Sequence, residues 1–243
     1  MAWNAAIIPD DADLLCESCG YTLKGLPLDG HCPECGKPIG ESTGTHRRPP
    51  LWEQSADYPI FRRFFGTTLT LIVHPRRFYR TFQTRAPLQN AAGFARIHWT
   101  LISILFAITA FYHWDWYRTH ILYRRPPSPL WMAPLLVASY LLIVVTIRLS
   151  ARLTVIEASY RGYRLPLATV LRGMYYHSAH VLLVALVAAV TVLGYRWALR
   201  HDLLDATSSR AYLFVLCVEV VLGAAYLFET YWIAMRNMMY ANR

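Results

Sequence analysis

Four long apolar stretches constrain the fold of this chain more than any other feature of its sequence. They cover about residues 97–114, 130–149, 180–199 and 211–233. Each is near the ~20 residues that an α-helix needs to cross a hydrocarbon core of about 30 Å. Tryptophan and tyrosine residues fall at their ends, as is typical of the boundary between membrane and water. The sequence therefore predicts a mainly α fold, with a four-span α-helical transmembrane bundle over residues 91–243.

The charged residues agree with a membrane protein and predict its orientation. Only 16% of the 243 residues are charged and 55% are hydrophobic, whereas a soluble domain carries about 25% charged residues. Of the 24 Lys and Arg residues, 18 lie before the first span, around the loop between the second and third, or after the last. Cytoplasmic segments carry such an excess. We therefore expect a multi-pass protein of the bacterial cytoplasmic membrane with a cytoplasmic N-terminus and C-terminus.

Four of the five cysteines form two Cys-x2-Cys pairs near the N-terminus, namely Cys16, Cys19, Cys32 and Cys35. Each pair places two sulfurs on one side of a tight turn, and the spacing fits a structural zinc site. A module of residues 1–40 is too short to bury a core of its own. Metal binding would supply most of its folding free energy, on the order of 10 kcal/mol. Disulfides or unrelated thiols are the alternative, and a reducing cytoplasm disfavours disulfides.

The run Cys-Glu-Ser-Cys-Gly-Tyr followed by Cys-Pro-Glu-Cys-Gly resembles the zinc-ribbon family in its short double-knuckle form. It is also similar to the rubredoxin-like domain of rubrerythrins, and that resemblance implies iron and electron transfer. Both resemblances cover residues 16–40. The di-iron carboxylate helices and Glu-x-x-His patterns of rubrerythrins do not occur in the sequence. We therefore expect Zn²⁺ at the four cysteines, with iron as the alternative.

The layout and hydropathy of residues 60–243 loosely resemble the Yip-type family of multi-span membrane proteins, in which a zinc ribbon is sometimes fused ahead of the bundle. Five spans and glycine-rich spans are common in that family, whereas this chain has four spans with few glycines. No site residue follows from this resemblance.

A basic, aromatic segment of residues 61–90 connects the two parts, after a Gly- and Pro-containing linker of residues 41–60. Short segments that mix aromatic residues with arginines are typical of helices that lie in the plane of the membrane interface. The alternative is a helix packed on the cytoplasmic face of the bundle. The candidate lipid contacts are Arg62, Arg63, Arg76, Arg77 and Arg80.

Ionisable side chains in or near the spans form a second candidate site. Glu219 and Glu229 lie in the fourth span, and His177 and His180 lie at the start of the third, at the depth of Glu229. A carboxylate within the membrane is costly, so it is usually paired, protonated or functional. The functional interpretation is a proton or ion path. A polar contact that locks helices together is the favoured alternative.

These patterns together predict a membrane-anchored zinc-ribbon protein that presents a cytosolic binding or adaptor module. The expected partners are membrane lipids and a protein bound by the zinc ribbon; nucleic acid is less favoured, and a homo-oligomer is left open. No metalloprotease, nucleophile-elbow or phosphate-loop motif occurs, so we expect no enzyme. The alternatives are a small transporter or channel component that uses Glu219 and Glu229, and an iron electron carrier at the membrane.

Overall fold

A computed structural model describes residues 9–10, 13–54, 58–204 and 208–242. Its α-helices are α1 (Ile60–Val73), α2 (Pro75–Thr81), α3 (Leu88–Trp116), α4 (Met132–Tyr160), α5 (Leu167–Arg200) and α6 (Ser209–Met238). Short 3₁₀ helices cover Ile39–Ser42, Leu51–Glu53 and Pro129–Trp131, and a short π-helix covers Tyr117–Ile121. Over the described ranges there is no β-strand, and only isolated bridges occur.

Helices α3 to α6 are long and apolar enough to cross a membrane. With 29 to 34 residues each, they span about 44 to 51 Å at 1.5 Å per residue, more than the ~30 Å hydrocarbon core. The predicted fold class is confirmed: the chain is mainly α, with four apolar helices and a small cysteine cluster near the N-terminus. The predicted spans 97–114, 180–199 and 211–233 lie within α3, α5 and α6, and the predicted span 130–149 begins in the 3₁₀ helix Pro129–Trp131, two residues before α4.

The chain divides into two compact units. The first comprises Met1–Ala95, Ile147–His177 and Thr230–Arg243, and the second comprises Arg96–Thr146 and Ser178–Glu229. The first unit therefore holds the cysteine module and one end of each long helix. The domain boundaries inferred from the sequence stay a prediction.

The core of the first unit is aromatic and surrounds a buried ion pair. The Glu53 and Arg172 side chains are 2% and 1% exposed, and Arg172 Nη2 donates to Glu53 Oε2 at 2.6 Å. Tyr176 donates a second hydrogen bond to the same carboxylate, and the Arg172 guanidinium lies 5.0 Å from the ring centroid of Phe82. The other two nitrogens of the Arg172 guanidinium donate to backbone carbonyl oxygens just before α3. A buried charge is tolerated only with such partners, so this pair fixes the Glu53 turn against α5.

The segment around Trp52, which the sequence suggests to be part of a linker, is packed in the first unit. The Trp52 backbone N–H donates to Thr67 Oγ1 at 2.9 Å, and its indole Nε1 donates to the Asn90 carbonyl oxygen at 2.8 Å. Pro50 is buried. These contacts hold the segment against α1 and α3, whereas an extended linker would leave its backbone in solvent.

Helix α1 has one packed face and one exposed apolar face. Phe64 and Leu71 are buried, whereas Phe61, Phe65 and Leu69 are 73%, 61% and 63% exposed. Contiguous exposed apolar side chains are uncommon on a surface that faces water. Such a face is typical of an amphipathic helix at a membrane interface.

The second unit combines an aromatic cluster with apolar outer surfaces. Trp116, Tyr195 and Tyr212 pack together, and the last two rings stack with centroids 4.0 Å apart. Arg196 forms an ion pair with Asp115 in the same unit. Many exposed side chains of this unit are leucine, valine or phenylalanine, as expected for surfaces in contact with lipid; they include Leu141, Leu142, Val190, Phe214, Val220 and Val221.

The buried ion pair gives a stability prediction. Replacing Glu53 by alanine leaves Arg172 buried without its counter-charge, and this should lower the free energy of unfolding by roughly 3–5 kcal/mol. The matched control is Glu157→Ala, which removes an ion pair with Arg161 whose side chains are 61% and 50% exposed and should cost at most about 1 kcal/mol. Denaturant titration of the protein in detergent micelles, followed by circular dichroism, measures both. Equal losses in the two variants would contradict the prediction.

Candidate metal centre

The two cysteine pairs form knuckles with the same backbone hydrogen bonds. In the first, the Cys16 N–H donates to the Tyr21 carbonyl oxygen and the Gly20 N–H donates to the Cys16 carbonyl oxygen, both at 2.8 Å. Corresponding bonds recur sixteen residues later, from Cys32 and from Gly36. Both glycines have positive φ, +82° and +71°, a conformation that residues with a Cβ adopt at a cost. The glycine after each pair is therefore what allows each turn to close.

The knuckles bring all four sulfurs together. The Sγ atoms of Cys16 and Cys35 are 3.5 Å apart, those of Cys19 and Cys32 are 3.6 Å apart, and all four lie within 4.8 Å of one another. A tetrahedral zinc site with Zn–S bonds of ~2.3 Å has sulfurs about 3.8 Å apart. The spacing and the donor type therefore fit one tetrahedral metal ion.

The module has a small core on one side of the sulfurs. Cys16, Cys32, Leu23 and Ile39 are buried together, and the other two cysteines are exposed. The Lys37 backbone N–H lowers the pKa of the nearby Cys35 thiol to about 7. Desolvation acts in the opposite direction on Cys19 and raises the pKa of its thiol to about 12. Metal ligands must be thiolates, so of these two cysteines Cys35 is the one whose pKa favours binding.

Asn242, near the C-terminus, joins this module to the rest of the first unit. Its Nδ2 donates to the carbonyl oxygens of Leu15 and Ser42, each at 2.6 Å. Its Oδ1 accepts from the Leu15 N–H at 3.1 Å and from Arg164 Nη2 at 2.8 Å. The amide thus uses both donors and both acceptor sites in a buried position, as a buried amide requires. The residue before Cys16 is in this way fixed by a side chain 227 positions later.

Two arginines complete the attachment of the module. Arg47 forms a bidentate pair with Glu17, with two N···O distances of 2.9 Å, and the same carboxylate accepts from the Asn242 backbone N–H at 3.0 Å. Arg164 is 4% exposed and donates to the carbonyl oxygens of Asp10 and Asp13 at 2.9 and 2.6 Å. Charge-assisted bonds of this kind are shorter and stronger than neutral ones, so the module is held in a defined position.

Tyr240 covers the first knuckle. A Cβ placed on Gly20 would lie 2.6 Å from atoms of the Tyr240 ring. Both the positive φ of Gly20 and the close approach of the Tyr240 ring therefore disfavour a side chain at this position.

The predicted histidines near the start of the third span have polar partners on α6. His177 Nε2 lies 2.9 Å from Thr230 Oγ1, and His180 Nδ1 lies 2.7 Å from the Tyr226 hydroxyl. Glu229 is exposed on α6, and its expected match in depth with these histidines stays a prediction.

Glu219 has one hydrogen-bond partner on α5. Its Oε1 accepts from the Thr191 hydroxyl, and among the described residues its buried Oε2 has no hydrogen-bond partner. In the same unit, Arg196 forms an ion pair with Asp115, and its guanidinium lies 5.4 Å from the Tyr112 ring centroid.

The predicted lipid-contacting arginines differ in their surroundings. The Arg62 guanidinium lies 4.6 Å from the Tyr58 ring centroid, and Arg63 donates to the Gln54 carbonyl oxygen at 3.4 Å. Arg76, Arg77 and Arg80 on α2 are exposed. The α2 arginines are therefore free to face an anionic surface, whereas Arg63 is partly used inside the protein.

The residues that attach the module were missed in the sequence. Glu17 lies between two cysteines, and Asn242 lies among polar residues at the end of the chain. Neither residue belongs to a sequence motif that indicates its role. In the sequence, Arg47 and Arg164 contribute only to the excess of Lys and Arg that predicts the orientation.

No protein-family model matches the chain, and no curated protein and no solved structure matches it. The likeness of the cysteine module to zinc ribbons, and of the bundle to Yip-type proteins, therefore remains a resemblance of motif and layout.

The sulfur geometry predicts the metal content of the purified protein. Elemental analysis should give about one metal ion per chain, and the pair variant Cys16→Ser/Cys19→Ser should retain little or none, because two thiolates cannot complete a tetrahedral site. Cys217, an exposed cysteine of α6, supplies the control: Cys217→Ser should bind as much metal as the parent. Equal metal content in all three proteins would show that the ion is held elsewhere.

Proposed function

We propose that this protein is a membrane-anchored zinc-ribbon protein whose cytosolic module binds a protein partner, with no catalytic role. The observation that carries the proposal is the convergence of four sulfurs in a module fixed to the helical part of its unit through Asn242. A small module held in this way presents a rigid surface. Rigid presentation lowers the entropy that a partner must overcome on binding.

Several side chains that take no part in the attachment are exposed on the module. Tyr21 is 40% exposed and Leu28 is 62% exposed, and Lys24 and His31 beside them are exposed as well. Exposed aromatic and aliphatic side chains on a rigid support are suited to act as anchors in a protein interface. We assign the binding face to these residues.

The charge of the module favours protein over nucleic acid as the partner. Between residues 13 and 42 the chain has five carboxylates and two lysines. Phosphate backbones are bound by surfaces rich in lysine and arginine. A module with an excess of negative charge lacks such a basic surface.

We assign Zn²⁺ to the four cysteines. A tetrahedral set of thiolates suits either zinc or iron, but an electron carrier needs a second redox centre within reach. Within the described residues, the cysteine cluster is the one group of three or more His, Cys, Asp or Glu side chains placed to hold a metal ion. A structural role for zinc requires no such second centre.

The excess of Lys and Arg supports a cytoplasmic location for the module and both termini. The exposed face of α1, with Phe61 and Phe65, and the exposed arginines of α2 support a contact with lipid at the same membrane surface. In this proposal α1 and α2 lie in the interface, and the binding face points into the cytoplasm.

A photo-crosslinking amino acid at position 28 tests this function in living cells. We expect one discrete protein adduct, and we expect it to disappear when Cys32→Ser is added, because the binding face depends on the folded module. Leu130, which is 83% exposed and lies in a predicted outer loop, is the matched control position and should give no such adduct. An adduct that survives Cys32→Ser, or that forms from position 130 and not from 28, would contradict the proposal.

A further inference from the structure

A groove with a volume of about 940 Å³ lies in the first unit, between the cysteine module and the ends of α2 and α6. Its lining includes Cys19 and Lys37 from the module, Arg80 from α2, and Trp232 and Arg236 from α6. We call this the module groove. The proposed protein-binding face does not use it, and the metal site borders it through Cys19.

The module groove carries a surplus of positive charge on the side that α2 and α6 form. Lys37, Arg80 and Arg236 line the groove, and both arginines are exposed. Of the lining carboxylates, Glu17 is 5% exposed and is neutralised by its bidentate pair with Arg47. Glu41 is the exposed one. The thiolate charge of the metal site reaches the groove through Cys19, on the module side. The lining residues that α2 and α6 contribute include two cations, Arg80 and Arg236, and no carboxylate, which favours an anionic ligand there.

The cations are fixed in part by the protein. Arg80 Nε donates to Asn237 Oδ1 at 3.3 Å, which leaves the terminal nitrogens of the guanidinium for a ligand. Arginine nitrogens bind phosphate oxygens with bidentate geometry. Asn237 itself is held by a hydrogen bond from its Nδ2 to the Ile233 carbonyl oxygen at 2.7 Å.

The groove lies where an apolar helix becomes polar. Trp232 is 45% exposed and stands at the end of the apolar run of α6, with Arg236 one turn later. Tyr240 and Met239 add further apolar lining. Tryptophan followed by arginine at a helix end is typical of the headgroup level of a membrane.

We propose that the module groove binds the phosphate group of an anionic membrane lipid, with Lys37, Arg80 and Arg236 as its ligands and with Trp232 beside the start of the acyl chains. A soluble phosphate ester shares the phosphate chemistry. The apolar lining next to the cations supports the lipid as the source. This site brings a lipid headgroup against the knuckle that contains Cys19, so the lipid contributes to holding the module at the membrane.

Native mass spectrometry of the full-length, metal-loaded protein tests the site. The protein, in non-ionic detergent, is titrated with phosphatidylglycerol and with phosphatidylcholine of the same acyl chains. We expect phosphatidylglycerol to bind at least about tenfold more tightly, because the charge-assisted bonds to phosphate are unopposed by a choline cation. In Arg80→Gln/Arg236→Gln this preference should fall to near one. Arg80→Lys/Arg236→Lys should keep part of it.

Arg124→Gln/Arg125→Gln is the matched control, because it removes the same charge from exposed positions between α3 and α4 that do not line the groove. It should keep the preference within about twofold. An equal loss in both double variants would show general attraction to a basic surface and would overturn the proposal. Metal content equal to that of the parent shows that each variant is folded.

A titration with glycerol phosphate separates the two sources of phosphate. We expect it to displace bound phosphatidylglycerol poorly, since it lacks the acyl chains that contact Trp232. Tight binding of glycerol phosphate, together with no preference for phosphatidylglycerol, would assign the groove to a soluble ligand and would overturn the lipid proposal.

Discussion

The approach of four sulfurs to within 4.8 Å is the constraint on which the rest of the first unit depends. Four thiolates at this distance repel one another unless a cation lies between them. The core beside them contains few large side chains, with Leu23 and Ile39 at its centre. A segment this small does not bury enough apolar surface to offset its loss of chain entropy. A bound ion is therefore the source of stability that fits the module, and the two glycine-closed knuckles are the means of presenting the ligands.

The ordered module is then attached to the rest of its unit by polar contacts. Asn242 and the Glu17–Arg47 pair lie between the first knuckle and the C-terminal end of the chain, and Arg164 holds the residues that precede it. These groups are buried, so each contact broken would leave a polar atom without a partner. The Glu53–Arg172 pair acts in the same way between the connecting segment and α5. The cysteine cluster, its attachment and the packed helix ends thus belong to one compact unit joined by buried polar contacts.

The sequence predicts those parts of the structure that depend on local residue patterns. The cysteine spacing and the apolar runs each determine their geometry over a few turns, so the sulfur cluster and the long helices could be predicted. Arg164 and Arg172 show the opposite case. Their positions in a basic loop indicate orientation, whereas in the structure both are buried and bind groups far away in sequence. The match of Glu229 with His177 and His180 is one of depth alone; depth does not specify which side of α6 a residue occupies, so the match stays a prediction.

X-ray absorption spectroscopy of the purified, folded protein at the zinc edge tests whether the four cysteine sulfurs bind one zinc ion. We expect a first coordination shell of four sulfurs at ~2.3 Å, with no nitrogen or oxygen ligand. A shell that contains nitrogen or oxygen, or a folded protein whose four N-terminal thiols are free and without any bound ion, would contradict it.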